Sequence, residues 1–126
     1  MTPAPLTLSL SLDPGARSLA PMRRALRSWL MEIDADEVSD VLLAVDEAVT
    51  NAIEHAGVTE DGAITVQARV HNGTLHIEIC DHGVWKQPTP SESRGRGLLI
   101  MNAVMDAVFI EHRDDDTRVV MSRQVR

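Results

Sequence analysis

A chain of 126 residues, 44% of them apolar, is long enough for one domain with a hydrophobic core, and we expect a single domain over 1–126. The formal net charge of −7 and the aromatic content of 2% argue against proteins that bind nucleic-acid backbones, anionic membranes or stacked bases. A single cysteine excludes an internal disulfide, and no apolar run reaches the length of a membrane-spanning helix, so the sequence predicts a soluble cytoplasmic domain with no direct nucleic-acid or membrane partner.

The N-terminal third predicts a strand and then a helix. Residues 6–12, "LTLSLSL", alternate apolar and polar side chains, which is typical of a strand, and "DPG" at 13–15 ends it. Apolar residues then recur at helical spacing through 16–32, with Pro21 near the first turn.

The second helix has the strongest pattern in the chain. We expect Asp34 to cap it, supported by Glu37 three residues later, and Gly57 to end it. Its apolar stripe indicates a helix packed on a core and consists of Val38, Val41, Leu42, Val45, Ala48, Val49, Ala52, Ile53 and Ala56.

The spacing of the apolar residues changes after this helix. Residues 64–70 and 75–79 alternate in the manner of strands, and the Asn72-Gly73 pair between them predicts a tight hairpin turn. Residues 82–97 are rich in glycine, proline and serine, which predicts a long loop. A third helix follows through Leu98 to Met105, and two strands are predicted at the end of the chain, over 107–112 and 117–124.

The predicted order β-α-α-β-β-loop-α-β-β indicates the α+β class. Its economical solution has two layers, a mixed and mostly antiparallel sheet with the helices on one face.

The second helix carries a polar stripe beside its apolar face. Glu47, Asn51 and His55 follow one another at intervals of four, with Thr50 and Glu54 next to them. A solvated face explains such a stripe, and so does the lining of a cleft. An acid and an amide one turn apart suit Mg²⁺, because a neutral Asn51 holds the metal near phosphates without adding negative charge, and Glu47 is then free to act as a general base.

Two further segments carry the same ambiguity. Asp81 in "IEICDHG" is either a turn residue or an acceptor for an exocyclic amine. In "ESRGRGLLIM", Gly95 and Gly97 lead into a helix, where backbone N–H groups with Arg94 and Arg96 are able to cradle phosphates, although any loop-to-helix junction uses glycine.

Several nucleotide and metal sites are excluded by residue type. The one lysine, Lys86, lies in "WKQP", so there is no Walker A loop. The strand lysine and His-Arg-Asp loop of eukaryote-type protein kinases are absent from the sequence. The five histidines and one cysteine show no close pair of the kind that binds zinc.

Three segments, in order, resemble the boxes of the GHKL superfamily of ATPases and kinases. "DEAVTNAIEHA" looks like the N-box, "ICDHG" the G1 box and "RGRGLLIMNAVMDAV" the G2 box. Within the superfamily the sequence of these segments is most similar to that of the small anti-sigma-factor kinases such as RsbW and SpoIIAB, and the resemblance covers roughly residues 6–125. The resemblance implies the two-layer Bergerat-type sandwich, which agrees with the element order above.

The resemblance also assigns roles to residues. It implies that Glu47 is the catalytic base or orienter of the attacking hydroxyl and that Asn51 ligates Mg²⁺ and contacts phosphates. It implies an ATP lid over about 84–96. The remaining ATP-binding residues it implies are Asp81 at the adenine amine, Gly83 beside the ring, Arg94, Gly95, Arg96 and Gly97 near the phosphates, and Thr117 beside adenine. His55 matches a common N-box histidine with no role assigned.

The implied activity is an ATP-dependent serine/threonine kinase that sequesters a sigma factor and phosphorylates an anti-anti-sigma partner with a STAS domain. The group also contains many homodimers. Trp85 stands where the G1 box often has a second glycine, which stiffens the lid hinge. A non-catalytic nucleotide-binding module that regulates by binding alone is therefore an alternative, as is an interaction fold without nucleotide.

Overall fold

The computed structural model describes residues 6–13, 15–56, 63–81, 93–113 and 116–125. Within those residues the strands are β1 (Thr7–Leu12), β2 (Ile64–His71), β3 (Thr74–Asp81), β4 (Ala107–His112) and β5 (Thr117–Gln124). The helices there are α1 (Leu19–Glu32), α2 (Val38–Ala56) and α3 (Ser93–Val104), and a short 3-10 turn, Ala16–Ser18, precedes α1. The predicted order of elements is therefore confirmed.

The strands form one sheet in the order β1-β2-β3-β5-β4. Each of the four pairings between neighbouring strands is antiparallel, whereas the sequence predicts a mixed, mostly antiparallel sheet. The α+β class and the two-layer arrangement are confirmed, because the helices cover one face of this sheet and bury its apolar residues.

Alternation along the strands separates the two faces of the sheet. In β3, Leu75, Ile77 and Ile79 are almost fully buried beneath the helices, and the residues between them are only half-buried. β2 repeats the pattern with Ile64, Val66 and Ala68. The opposite face, which we call the open face, carries mostly polar side chains.

α2 packs along the middle of the sheet through the predicted stripe. Val41, Val45 and Val49 are completely buried. Ala44 joins them, at 0% exposed, although it lies outside the predicted stripe. Neither α2 nor any other helix in the part described is long and apolar enough to cross a membrane.

The predicted cap of α2 is wrong. Asp34 lies four residues before the helix with φ of 58°, and its N–H donates to the carbonyl of Met31, so it ends α1 instead. The carbonyl of Glu37 accepts hydrogen bonds from the N–H groups of Asp40 and Val41, which makes Glu37 the residue at the start of α2. The capping pattern fails because a tight turn with two left-handed residues separates the helices.

The hairpin between β2 and β3 is confirmed. Asn72 and Gly73 have φ of 52° and 75°, and positive φ at both central residues is the requirement of a type I′ turn.

The predicted loop over 82–97 is too long at its C-terminal end, because α3 begins at Ser93. The last four residues assigned to the lid, 93–96, are therefore helical. Residues 57–62 and 82–92 lie outside the described residues, and with them lie the predicted helix end at Gly57 and the rest of the lid.

Candidate functional site

The polar stripe of α2 faces the first part of α3. Glu47 and Asn51 are both half-buried, and Gly97 of α3 lies directly opposite them. A methyl group placed on Gly97 would lie 3.1 Å from Glu47 Oε2 and 3.2 Å from Asn51 Nδ2. The stripe is therefore not simply a solvated face, since its acid and its amide converge on one point of a neighbouring helix.

Gly97 permits this approach because it has no Cβ. Contacts of 3.1–3.2 Å to a Cβ are tighter than ordinary van der Waals distances, so any other residue would displace the two polar side chains. The glycine was assigned to the phosphates on sequence grounds. The structure shows a second use, which is close packing of α3 on the polar side chains of α2.

A second pair of polar residues lies at the ends of the central strands. Asp81 ends β3, Thr117 begins β5, and the two are register partners. They are 3% and 4% exposed and are the buried polar residues among those described. Thr117 Oγ1 has no hydrogen-bond partner within the described part of the chain.

An orphaned hydroxyl beside a buried carboxylate fits a polar ligand group, because buried polar atoms are normally paired. A nucleobase with an exocyclic amine and ring nitrogens offers such groups. The donor set at this end of the sheet therefore fits the adenine end of a nucleotide, with Asp81 as acceptor.

The start of α3 has the character of an anion site. Arg94, Gly95 and Arg96 lie in its first turn, and their side chains lie outside the described residues. The first turn contains no acidic residue. Basic residues at a helix N-terminus oppose the helix dipole, so their presence there favours an anionic group nearby.

Asn51 is the proposed metal ligand. Among the described residues no group of three or more His, Cys, Asp or Glu side chains is placed to hold a metal. Mg²⁺ needs few protein ligands when phosphates and waters supply the others, so a single amide oxygen beside Glu47 fits that chemistry.

The structure says less about the remaining residues that the sequence assigned to the site. His55 lies in α2, with its side chain outside the described residues, and its role stays open. Gly83 and Trp85 lie outside the described part altogether. The structure thus brings together Glu47, Asn51 and Gly97, and separately pairs Asp81 with Thr117.

One residue next to the site was missed. Asp46, the neighbour of Glu47 in α2, receives two hydrogen bonds from Arg23 of α1, 2.7 Å from Nε and 3.0 Å from Nη2. This bidentate pair joins the two helices and raises the pKa of Arg23, through the hydrogen bond first and the charge of Asp46 second. An acid inside the helical pattern was the available signal, but nothing in the sequence indicated its partner 23 residues away.

Cys80 lies next to Asp81 in β3 but on the open face. Its thiol is 3.8 Å from Asp116 Oδ2. Burial raises the pKa of Cys80, and the charge of Asp116 raises it further, so the thiol stays protonated near neutral pH. This cysteine is therefore separated from the candidate site by the sheet itself.

The sequence profile described as Histidine kinase-like ATPase domain matches residues 12–123. A protein of Clostridium botulinum (strain Eklund 17B / Type B) named "Anti-sigma F factor" is 33% identical, over 81% of this chain and 82% of that protein. A protein of the same name from Caldanaerobacter subterraneus subsp. tengcongensis is 34% identical, over 71% of this chain and 72% of the relative.

Two solved structures have a similar fold. A crystal structure of the RsbU and RsbW domains of Rv1364c from Mycobacterium tuberculosis superposes with a TM-score of 0.79 at 28% identity, covering 94% of this chain and 32% of that one. A histidine kinase domain from Erythrobacter litoralis shares the fold, with a TM-score of 0.58 at 16% identity, over 70% of this chain and 44% of that one. The family match spans most of the chain, and the domain that it describes implies nucleotide binding. The chain belongs to the histidine kinase-like ATPase family.

Proposed function

We propose that the protein is an anti-sigma factor with serine/threonine kinase activity. It binds Mg-ATP, sequesters a sigma factor and phosphorylates a STAS-type anti-anti-sigma partner. The support comes from relatives named anti-sigma F factor, from the RsbW-containing neighbour and from the geometry around Glu47 and Asn51. The observation that carries the catalytic part is the convergence of Glu47 and Asn51 on Gly97.

The ATP site extends from the sheet to the helices. Asp81 and Thr117 receive the adenine, where the buried hydroxyl gains the partner that it lacks among the described residues. Asn51 holds Mg²⁺, and the positive end of α3 with Arg94 and Arg96 receives the phosphates. Bound at this site, ATP supplies the phosphoryl group and Mg²⁺ neutralises its charge.

Glu47 acts on the partner's hydroxyl. Its carboxylate accepts the serine or threonine proton as the hydroxyl oxygen bonds to the γ-phosphorus and the bond to the bridging oxygen of ADP breaks. Gly97 keeps the backbone of α3 close enough to hold the carboxylate and the amide in position. In this division of labour Asn51 is needed to bind the nucleotide, and Glu47 is needed for transfer.

The proposed partners and location are supported by the names of the relatives and by the family resemblance of the sequence. A sigma factor and a STAS-domain protein would bind in the cytoplasm, and a second copy of the chain completes a homodimer as the group's resemblance suggests. A module that binds nucleotide but does not transfer phosphate is the second candidate, favoured by Trp85 at the second glycine position of the G1 box.

The decisive experiment separates binding from transfer. Calorimetry with Mg-ATP should show that Asn51→Ala weakens binding about tenfold or more, because a charge-assisted contact contributes about 1.5–3 kcal/mol. Glu47→Ala should bind within a few-fold of wild type yet lose about 10²- to 10⁴-fold in transfer of labelled phosphate to a STAS partner captured from the native cell.

Glu32→Ala is the matched control, since Glu32 is an exposed acid at the end of α1. Unchanged nucleotide affinity in both Asn51→Ala and Asp81→Asn would refute the site. Normal partner release in Glu47→Ala, with no phosphate transfer by the wild type, would instead establish the binding module.

A further inference from the structure

The open face of the sheet contains a groove that the proposed function does not use. Its volume is about 300 Å³. We call it the open-face groove, and its polar lining comes from three adjacent strands: Thr7 and Ser9 of β1, Gln67 and Arg69 of β2, and His76 and Glu78 of β3. It lies across the sheet from α2 and α3, so it is separate from the candidate nucleotide site.

Strand register sets these side chains in rows. Arg69 is the register partner of both Thr7 and His76, so the three form one row across the sheet. Gln67 likewise pairs with Ser9 and Glu78 in the next row. Cβ atoms of directly opposed residues lie about 4.5–5.5 Å apart, so the donors of one row can reach a common ligand atom.

The charged side chains of the groove differ in whether they are paired. Glu78 is the acid in its lining, and its Oε1 lies 3.0 Å from Nε of Arg118, which takes up that charge. No ion pair or hydrogen bond joins the side chain of Arg69 or of His76 to another residue in the part of the chain that the structure describes. Arg69 and His76 therefore stand directly opposite each other, and neither is paired with an acid in the part of the chain that the structure describes.

We infer that the open-face groove binds a small anion through Arg69 and His76, with a phosphate or carboxylate group as the recognised chemistry. Arg69 supplies a planar set of N–H donors, His76 a ring N–H, and the hydroxyls of Thr7 and Ser9 and the amide of Gln67 complete a donor-rich surface. A groove of about 300 Å³ lies at the lower end of the range for small-molecule sites, which suits a small anion.

Amide chemical-shift titration of the intact chain tests this inference. Inorganic phosphate and succinate, added separately, distinguish a phosphate ligand from a carboxylate ligand. We expect one of them to shift the amides of Gln67, Arg69 and His76 saturably, with a Kd below about 1 mM. The amides of Asn51 and Gly97 report the nucleotide site independently, so the outcome at the groove does not depend on the proposed function.

Arg69→Gln should weaken groove binding about tenfold or more, and Arg69→Lys, which keeps the charge but loses the planar donors, should fall between Arg69→Gln and wild type. Arg24→Gln is the control, because Arg24 is an exposed arginine of α1 in the other layer. Equal weakening by Arg69→Gln and Arg24→Gln would show general electrostatic attraction and overturn the inference. So would the absence of saturation of the groove amides by both anions.

Discussion

Gly97→Ala is the sharpest test of how α3 meets α2. The new methyl group would lie 3.1 Å from Glu47 Oε2, 3.2 Å from Asn51 Nδ2 and 3.8 Å from Asn51 Oδ1. The first two distances require the neighbouring atoms to move by a few tenths of an ångström. The atoms in question are the ends of half-buried side chains, which can rotate away, so the backbone of α3 need not shift.

The two contributions to stability oppose each other. Alanine is favoured over glycine within a helix by about 0.8–1 kcal/mol, and mild overpacking costs about 1 kcal/mol or slightly more. The free energy of unfolding should therefore change by less than about 1 kcal/mol. Function has no such compensation, because displacing the amide and the carboxylate removes their alignment, and misplacement of reacting groups by about 1 Å costs up to about 10²-fold in rate.

Thermal unfolding and Mg-ATP calorimetry on the same samples separate the two effects. We expect a nearly unchanged melting temperature and an affinity lowered about tenfold. Gly15→Ala is the matched control, since a methyl group there meets nothing within 4 Å. The reasoning fails if Gly97→Ala binds nucleotide like wild type, or if it loses several kcal/mol of stability while Gly15→Ala does not.

Two further predictions concern Thr117 at the start of β5 and Cys80 near the end of β3. Thr117→Val replaces the orphaned hydroxyl with a methyl group, so without nucleotide the free energy of unfolding in urea should stay unchanged or rise by up to about 1 kcal/mol. The affinity for Mg-ATP should fall about tenfold in Thr117→Val and stay at the wild-type value in Thr117→Ser. A destabilised Thr117→Val variant with normal affinity would contradict this. The raised pKa of Cys80 lowers its thiolate fraction, so iodoacetamide at about pH 8 should alkylate the folded chain more slowly than the urea-unfolded chain. Asp116→Asn should accelerate alkylation of the folded chain, and Arg118→Gln should slow it, because the two charges act on the pKa in opposite directions. Equal alkylation rates in all forms would count against these causes.

The sequence predicted the fold well where the periodicity was long. The stripe of α2, the alternation of β2 and β3 and the Asn72-Gly73 turn each specify one local geometry, and each was confirmed. The bounds of β4 and β5 also agree with the predicted ranges. These patterns succeed because burial of one face imposes a fixed period on the chain.

The failures occurred where local patterns allow two structures. Asp34 and Glu37 have the spacing of a capping box, but the chain places them in the turn between two helices with positive φ. Residues 93–96 are rich in residues that favour loops, yet they form the first turn of α3. Neither result is visible from spacing, because tertiary packing decides where a helix begins.

The sequence predicted which residues belong to the candidate site but not how they are arranged in space. Glu47 and Asn51 were recognisable from their spacing, and Thr117 only from the family resemblance. The close approach of Gly97, the missing partner of Thr117 Oγ1 and the link from Arg23 to Asp46 all depend on residues distant in sequence. One sequence without a structure contains no record of such distances.

The division of the site's polar residues between two layers has a consequence for the size of the ligand. Glu47 and Asn51 belong to the helical layer, whereas Asp81 and Thr117 belong to the sheet. A ligand that reaches both pairs must therefore cross from one layer to the other, so the separation between the layers sets the length of the molecule that the site can hold.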